Sequence, residues 1–288
     1  SYLCYQKDRT TFMIKKYALV LFVLLTSCDL IDYHPYDGRI TYKEDKDINE
    51  MNIFKIRNAC QDKDTIRFIF TGDTQRWLDE TNDFVKHVNQ RDSIDFVIHG
   101  GDLTDFGIKK EYIWQHSILS KLKIPYVALI GNHDIIGNGE LVYEDMYGPK
   151  NFSFSVGPSQ YYGGGGTIRF ICLNTNALEY DYSIPVPDFS FIKSELNSTT
   201  EDDKCTIFVM HVPPGSEQFN NNVADIFQEK IREFPNPLFC LHAHDHNIAA
   251  RDLFDDGIIY YCCDNIGKRT YLLFTVTPDD YSYEIVKF

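Results

Sequence analysis

PYVALIGNHD, residues 125–134, decides how the chain is read. The apolar run PYVALI (125–130) has the length of a buried strand and stops at a glycine. The three residues that follow, Asn132, His133 and Asp134, put an amide, an imidazole and a carboxylate on one tight turn. A strand that ends in reactive side chains is what an open α/β sheet presents at its carboxyl edge, where ligands bind.

The same pattern recurs on both sides of this segment. IRFIF (66–70) runs into GDTQ (72–75), and DFVIH (95–99) into GGDLTD (100–105). Further on, CTIFVMH (205–211) continues into two prolines, and LFCLH (238–242) into the rest of HAHDH (242–246). Between these strands the spacing predicts helices near 81–90, with Thr81 or Asn82 as N-cap, and near 109–122, 188–196 and 222–234. A short leading helix is expected within 47–60. FSFSVG and TIRFICLN (167–174) read as paired strands around a loop containing Gly163–Gly166, whose four glycines cannot pack and imply mobility. Three more strand-like runs, GIIYYCC, YLLFTVT and YSYEIVKF, finish the chain. Strands alternating with helices predict an α/β fold. No linker is visible after residue 60, so 61–288 reads as one domain.

Composition narrows the function. The 288 residues, 43% hydrophobic, can bury a large core, and the formal net charge is −14. No nucleic-acid-binding surface is expected on so acidic a chain. A phosphorylated ligand would need local cations to overcome the overall field. The eight cysteines form no CxxC pair, and most lie in apolar runs as small buried hydrophobes.

The first residues do not read as fold. Met13 is followed by Lys15 and Lys16, the nine-residue apolar run YALVLFVLL (17–25), and then Thr26, Ser27 and Cys28. This is the order of a secretory signal, and the run is far below the ~20 residues of a membrane-spanning helix. The ending Leu25-Thr26-Ser27-Cys28 resembles the lipobox of bacterial lipoproteins, in which the signal is cut before a lipid-bearing Cys. The expectation is a signal at 1–27, with 1–12 upstream of the true start. Residues 28–60 would be a tether and leading helix, and the protein an exported, membrane-anchored lipoprotein on the periplasmic side or cell surface.

Taken singly, most of the polar motifs are common turns. As an ordered set they resemble the calcineurin-like metallophosphoesterases, whose pattern is D-x-H, GD, GNH[DE], H and GHxH on a four-layer α-β-β-α sandwich. The resemblance spans roughly residues 65 to 265. It implies two divalent metal ions. Asp73 would ligate the first, Asp102 would bridge both, and Asn132 and His211 would ligate the second. His133 would be the catalytic histidine, with Asp134 orienting it. HAHDH allows two registers. A small residue suits the family's glycine position better than Leu241, so Ala243 is placed there, His244 on the second metal, His246 on the first, and His242 as a strand residue. Two departures stand out: Ala243 replaces a glycine, which would strain a left-handed position, and Gln75 replaces the first-motif histidine.

The implied reaction is hydrolysis of a phosphomonoester or phosphodiester by a metal-bridged hydroxide, with His133 assisting the leaving group. Arg76 is a candidate phosphate contact. Gln75 offers a carbonyl oxygen instead of imidazole, which shifts preference from Zn towards Mn, Mg or Fe, with Mn or Fe favoured. One alternative is a lipid-anchored protein that binds metal or phosphate without turnover. A mononuclear zinc amidohydrolase is another, disfavoured because its HxH would end an early strand.

Overall fold

The computed structural model describes residues 37–40, 46–159, 164–180 and 184–288. The expected signal, Cys28 and residues 160–163 of the glycine-loop segment lie outside the described residues. Residues Gly38–Phe288 form one compact unit, and the leading helix α1 (Ile48–Cys60) lies within it.

The first half of the chain builds a mixed five-stranded sheet. Its parallel strands are β1 (Ile66–Thr71), β2 (Phe96–His99) and β3 (Tyr126–Ala128), linked through helices α2 (Leu78–Val88) and α3 (Lys109–Leu119). Two short helices, α4 (Asn132–Ile135) and α5 (Gly139–Tyr147), follow β3. The second half builds a six-stranded sheet from β4 (Phe152–Val156), β5 (Thr167–Leu173), β6 (Asp203–Met210), β7 (Pro237–His242), β8 (Ala249–Asp252) and β9 (Ile259–Cys262). Here β5, β6, β7 and β9 are parallel, connected through α6 (Phe189–Asn197) and α7 (Ala224–Arg232). The chain then returns to the first sheet as β10 (Thr270–Val276) and β11 (Tyr281–Lys287), giving the order β11-β10-β1-β2-β3.

Apolar residues on both faces of the central strands explain the layering. Between the sheets, Phe68 stacks on Phe96 and Phe274 and meets Phe170 edge-on. A second core joins the outer face of the first sheet to α2, α3 and α5, and a third joins the second sheet to α6 and α7. The result is two sheets flanked by helices, the expected α-β-β-α sandwich.

The boundaries differ from the sequence reading at particular places. The second helix starts at Leu78, so Thr81 is not its cap; its hydroxyl lies inside the first turn and donates back to the Trp77 carbonyl at 2.7 Å. Asp188, by contrast, does cap α6, accepting from the N–H groups of Ser190 and Phe191. The short β8 and the helix α5 were not expected, because neither carries a clear period.

The leading helix closes an exposed sheet edge. β3 is the edge strand, and Asn49 completes its ladder: Oδ1 accepts from Ala128 N–H and Nδ2 donates to Ala128 C=O, each at 2.9 Å. Asn52 Nδ2 donates to Tyr126 C=O at 2.8 Å. Both side chains are buried. Asn49→Ala strands the buried Ala128 N–H and should cost about 1–3 kcal/mol in a urea unfolding series. An unchanged midpoint would show that water replaces the amide.

Candidate metal centre and active site

Five strands of the two sheets end at one edge. From the first sheet come Asp73, after β1, Asp102, after β2, and Asn132, after β3; from the second come His211, after β6, and His244 and His246, after β7. Backbone bonds stitch these turns together. Asp73 N–H donates to Gly101 C=O, and the N–H groups of Thr74 and Gln75 both donate to Asp102 C=O, all at 3.0 Å. Ala243 N–H donates to His211 C=O at 3.1 Å.

The side chains gather into two overlapping nests. In one, Asn132 Oδ1 lies 3.0 Å from both His211 Nε2 and His244 Nδ1, and His211 Nε2 is 3.4 Å from Asp102 Oδ1. In the other, His246 Nε2 lies 3.1 Å from Asp73 Oδ1. Gln75 Nε2 donates to Asp102 Oδ2 at 2.7 Å, so Asp102 faces both nests. Asp73, Asp102 and His211 hold ligand atoms within 4.8 Å of one another, all buried. The alternative register of HAHDH would need His242, which is not part of the group: it turns its Nδ1 to the Ala243 carbonyl.

Four of these residues have left-handed backbones that L side chains rarely adopt: Asp73 (φ 49°), Asp102 (φ 59°), His244 (φ 69°) and His246 (φ 52°). Such conformations cost about 1–3 kcal/mol each and cluster at functional sites. The strain expected at Ala243 is absent, since it is not among the positive-φ residues. Its methyl instead fills space left by two other glycines: a Cβ on Gly72 would lie 2.9 Å from it, and one on Gly100 3.1 Å.

The donor set fits a pair of divalent cations. Burial raises the Asp73 carboxyl above its usual range. Burial also opposes charge on Asp102, but His211 and the His133 N–H outweigh it and hold that carboxyl at about 2. Against the same burial, Asp102, Asp73 and the Gly100 carbonyl raise His211 to about 9. Two desolvated carboxylates thus lean on neighbouring imidazoles, and cations in the nests would satisfy them better. Burial lowers His244 to about 4, which keeps it as the neutral, lone-pair-bearing ligand form.

His133 is held differently from expectation. Asp134 does not orient it. That carboxylate turns inward and accepts from the N–H groups of Gly131 (2.9 Å), Leu103 (3.1 Å) and Thr104 (2.8 Å), and from the Thr104 hydroxyl (2.9 Å). The group on the His133 imidazole is Asp105: its backbone carbonyl lies 2.9 Å from Nδ1 and its Oδ1 4.0 Å away. Asp134 therefore ties the GNHD turn to the GGDLTD turn, and Asp105 positions the histidine at the half-exposed rim. Arg76, also on the rim, is ion-paired with Asp105 and lies 5.8 Å from the Trp77 ring.

Residues 66–247 match the model of the calcineurin-like phosphoesterase family. The chain belongs to that family. It is also 25% identical over 232 residues to the uncharacterized protein YvnB of Bacillus subtilis (strain 168), covering 73% of this chain and 18% of YvnB. It therefore spans less than a fifth of that relative. Among solved structures, GAP50, the anchor in the inner membrane complex of Plasmodium, matches with a TM-score of 0.60 at 13% identity, over 78% of this chain and 85% of that one. A dimetal phosphatase from Danio rerio matches at 0.54 and 11% identity, over 76% and 98%. Purple acid phosphatase PPD1 from yellow lupin matches at 0.55 and 14%, over 79% and 52%. These likenesses establish the phosphoesterase fold, and family membership displaces the amidohydrolase alternative.

Sequence reasoning missed the supports of the site. His99, the last residue of β2, accepts from Gly101 N–H at Nδ1 (3.2 Å), which leaves Nε2–H for the Thr74 hydroxyl (2.9 Å). Burial pushes it down to about 3, so it stays neutral. Gln115 on α3 donates to the carbonyls of Thr74 and Gln75, each at 3.0 Å. Trp77 packs edge-on against His246, with ring centroids 6.3 Å apart. Only Asp105 carried a sequence signal, as the last residue of GGDLTD.

The division between Asp134 and His133 is measurable. Asp134→Ala removes the acceptor of three buried backbone donors and should destabilise the protein by roughly 3 kcal/mol or more in denaturant unfolding. His133→Ala, at the half-exposed rim, should leave the midpoint nearly unchanged. Equal losses from the two variants would contradict this division.

Proposed function

We propose that the chain is a binuclear metal-dependent phosphoesterase that hydrolyses a small phosphorylated substrate, tethered outside the cytoplasm by a lipid on Cys28. The observation that carries the reaction is Asp102, which faces both donor nests and accepts the His133 backbone N–H on Oδ1 at 3.0 Å. One carboxylate thereby couples both metal positions to the backbone of the proton-handling residue.

Asp73, Gln75 and His246 would hold one cation and Asn132, His211 and His244 the other, with Asp102 between them. Two divalent metals, when bound, neutralise phosphoryl oxygens and make hydroxide available near neutral pH. The chain's own groups do the rest. The Asp105 carbonyl fixes Nδ1–H of His133, so Nε2 is the atom that gives a proton to the leaving oxygen. Arg76 is placed to exchange its pairing with Asp105 for a phosphate oxygen. Gln75 can keep its Nε2 bond to Asp102 and still offer Oε1 as a ligand.

The oxygen-rich set favours Mn or Fe in the first position. Mn(II) titrated into metal-free protein should bind in two unequal steps, and Gln75→His should bring them together. Two equal, tight steps in the unsubstituted protein would sink the weak-site idea.

The second reading is a protein that holds metal or phosphate without turnover. It draws on Gln75 and on the fold shared with a protein described as an anchor. Assays with Mn(II) on p-nitrophenyl phosphate and its bis ester separate the two. The enzyme reading expects turnover in the membrane fraction, released to the soluble fraction by Cys28→Ser. It expects loss of turnover in Asp102→Ala and a drop of about 10²–10⁴-fold in His133→Ala. Metal uptake without turnover of either ester would favour the second reading.

A further inference from the structure

The turn that carries His244 and His246 has a second set of ligating side chains on its other side. β7 and β9 are parallel neighbours, and His242 pairs directly with Cys262. Paired residues on adjacent strands project from the same face. Leu241, Ala243, Tyr261 and Cys263 belong to the core between the sheets, while Cys240 and Tyr260 belong to the outer core. Alternation therefore directs His242 and Cys262 outward, away from the dinuclear group. Asp245 lies between the left-handed His244 and His246. A ring nitrogen of His242, a carboxylate oxygen of Asp245 and Sγ of Cys262 all lie within 4.8 Å of one another.

The set is partly organised for a ligand. His242 and Cys262 are buried, and Asp245 is half-buried, which leaves one side open to solvent. The Ala243 carbonyl accepts from Asp245 N–H at 2.8 Å and from His242 Nδ1 at 2.9 Å. That second bond holds the imidazole ring beside the thiol, whose sulfur approaches the same carbonyl. Cys262 Sγ is 3.6 Å from the same carbonyl and 3.3 Å from that of Cys263. A thiol that only donates to those carbonyls is the plainer account. It leaves unexplained why a carboxylate and an imidazole converge on the same sulfur.

We propose that His242, Asp245 and Cys262 form a second metal site, for a single zinc ion, on the outer side of the turn whose inner side carries His244 and His246. One thiolate, one imidazole and one carboxylate make a borderline-soft set that suits zinc and not magnesium or calcium, with the fourth position open to water. Binding forms bonds from the metal to nitrogen, oxygen and sulfur, and the thiol proton passes to solvent. The ion would pin the turn and so fix the two histidines on its other side. The site is independent of whether the dinuclear group turns over phosphate esters.

Cobalt(II) distinguishes the two sites, because the dinuclear group contains no sulfur. Metal-free protein titrated anaerobically with Co(II) should develop a thiolate-to-cobalt charge-transfer band in the near ultraviolet, displaced by Zn(II). Cys262→Ser should lose that band and keep the visible bands of the nitrogen and oxygen ligands, which also reports that it folds. Cys263→Ser should keep the band, and His242→Ala should weaken the cobalt affinity that it measures. Cobalt uptake without a thiolate band in the unsubstituted protein, or a band that survives Cys262→Ser, would overturn the proposal.

Discussion

Asp73 and Asp102 are carboxylates with almost no water, at most 1% exposed, at the edge where the two sheets meet. Two buried negative charges so close together are unstable unless positive charge and fixed dipoles surround them. Much of the neighbouring structure answers that demand. The first sheet brings the two carboxylates and Asn132; the second brings His211, His244 and His246. The charge balance of the site is thus also a bond between the halves of the sandwich, which share apolar packing elsewhere. Close approach is what makes it work. Gly131 has no side chain because a Cβ there would lie 2.2 Å from the Asp102 amide nitrogen and Oδ1.

That demand explains why the site was so legible in the sequence. Groups that must meet at one sheet edge have to follow strands directly, so Asp73, Asp102, Asn132, His211, His244 and His246 each stand just after an apolar run. The small residue at 243 set the register of the last motif, because the turn has to clear Gly72 and Gly100. The supports were not legible for the same reason in reverse. Asn49 and Gln115 act through backbone groups 79 and 41 residues away, and His99 through a hydroxyl 25 residues away. No local period marks such contacts. Asp134 was misread because the family resemblance implied an orienting role that its side chain does not take here. In a helical first turn the side chain of the third residue reaches back to the backbone N–H that opens the helix, and here it reaches Gly131.

Rigidity and reactivity are divided between neighbouring residues. Four of the candidate ligands have left-handed backbones and most are buried, and the backbone bonds among the turns hold that strain in place. His133 is less enclosed, and its Nδ1 is tethered to the Asp105 backbone carbonyl, which fixes the ring without neutralising it. A proton-handling group benefits from that arrangement: its charge can change during a reaction without disturbing the carboxylate that organises the turn.

The chain's formal charge of −14 opposes any anionic ligand at long range, yet local electrostatics can reverse that. Within the group only Asp73 and Asp102 are formally anionic among the candidate ligands, so two dications would leave it positive. Surface carboxylates further away are screened by salt within about 10 Å, whereas charges in a low-dielectric pocket are not. At the rim, Asp105 and Glu179 work in the opposite direction, and Glu179 is close enough to His133 and Asp102 for their fields to influence its own carboxyl. Arg76 offsets Asp105 by pairing with it. Two bound dications would thus make a narrow positive centre within an acidic surround, so that local charge, and not the chain's total, decides what an anion meets there.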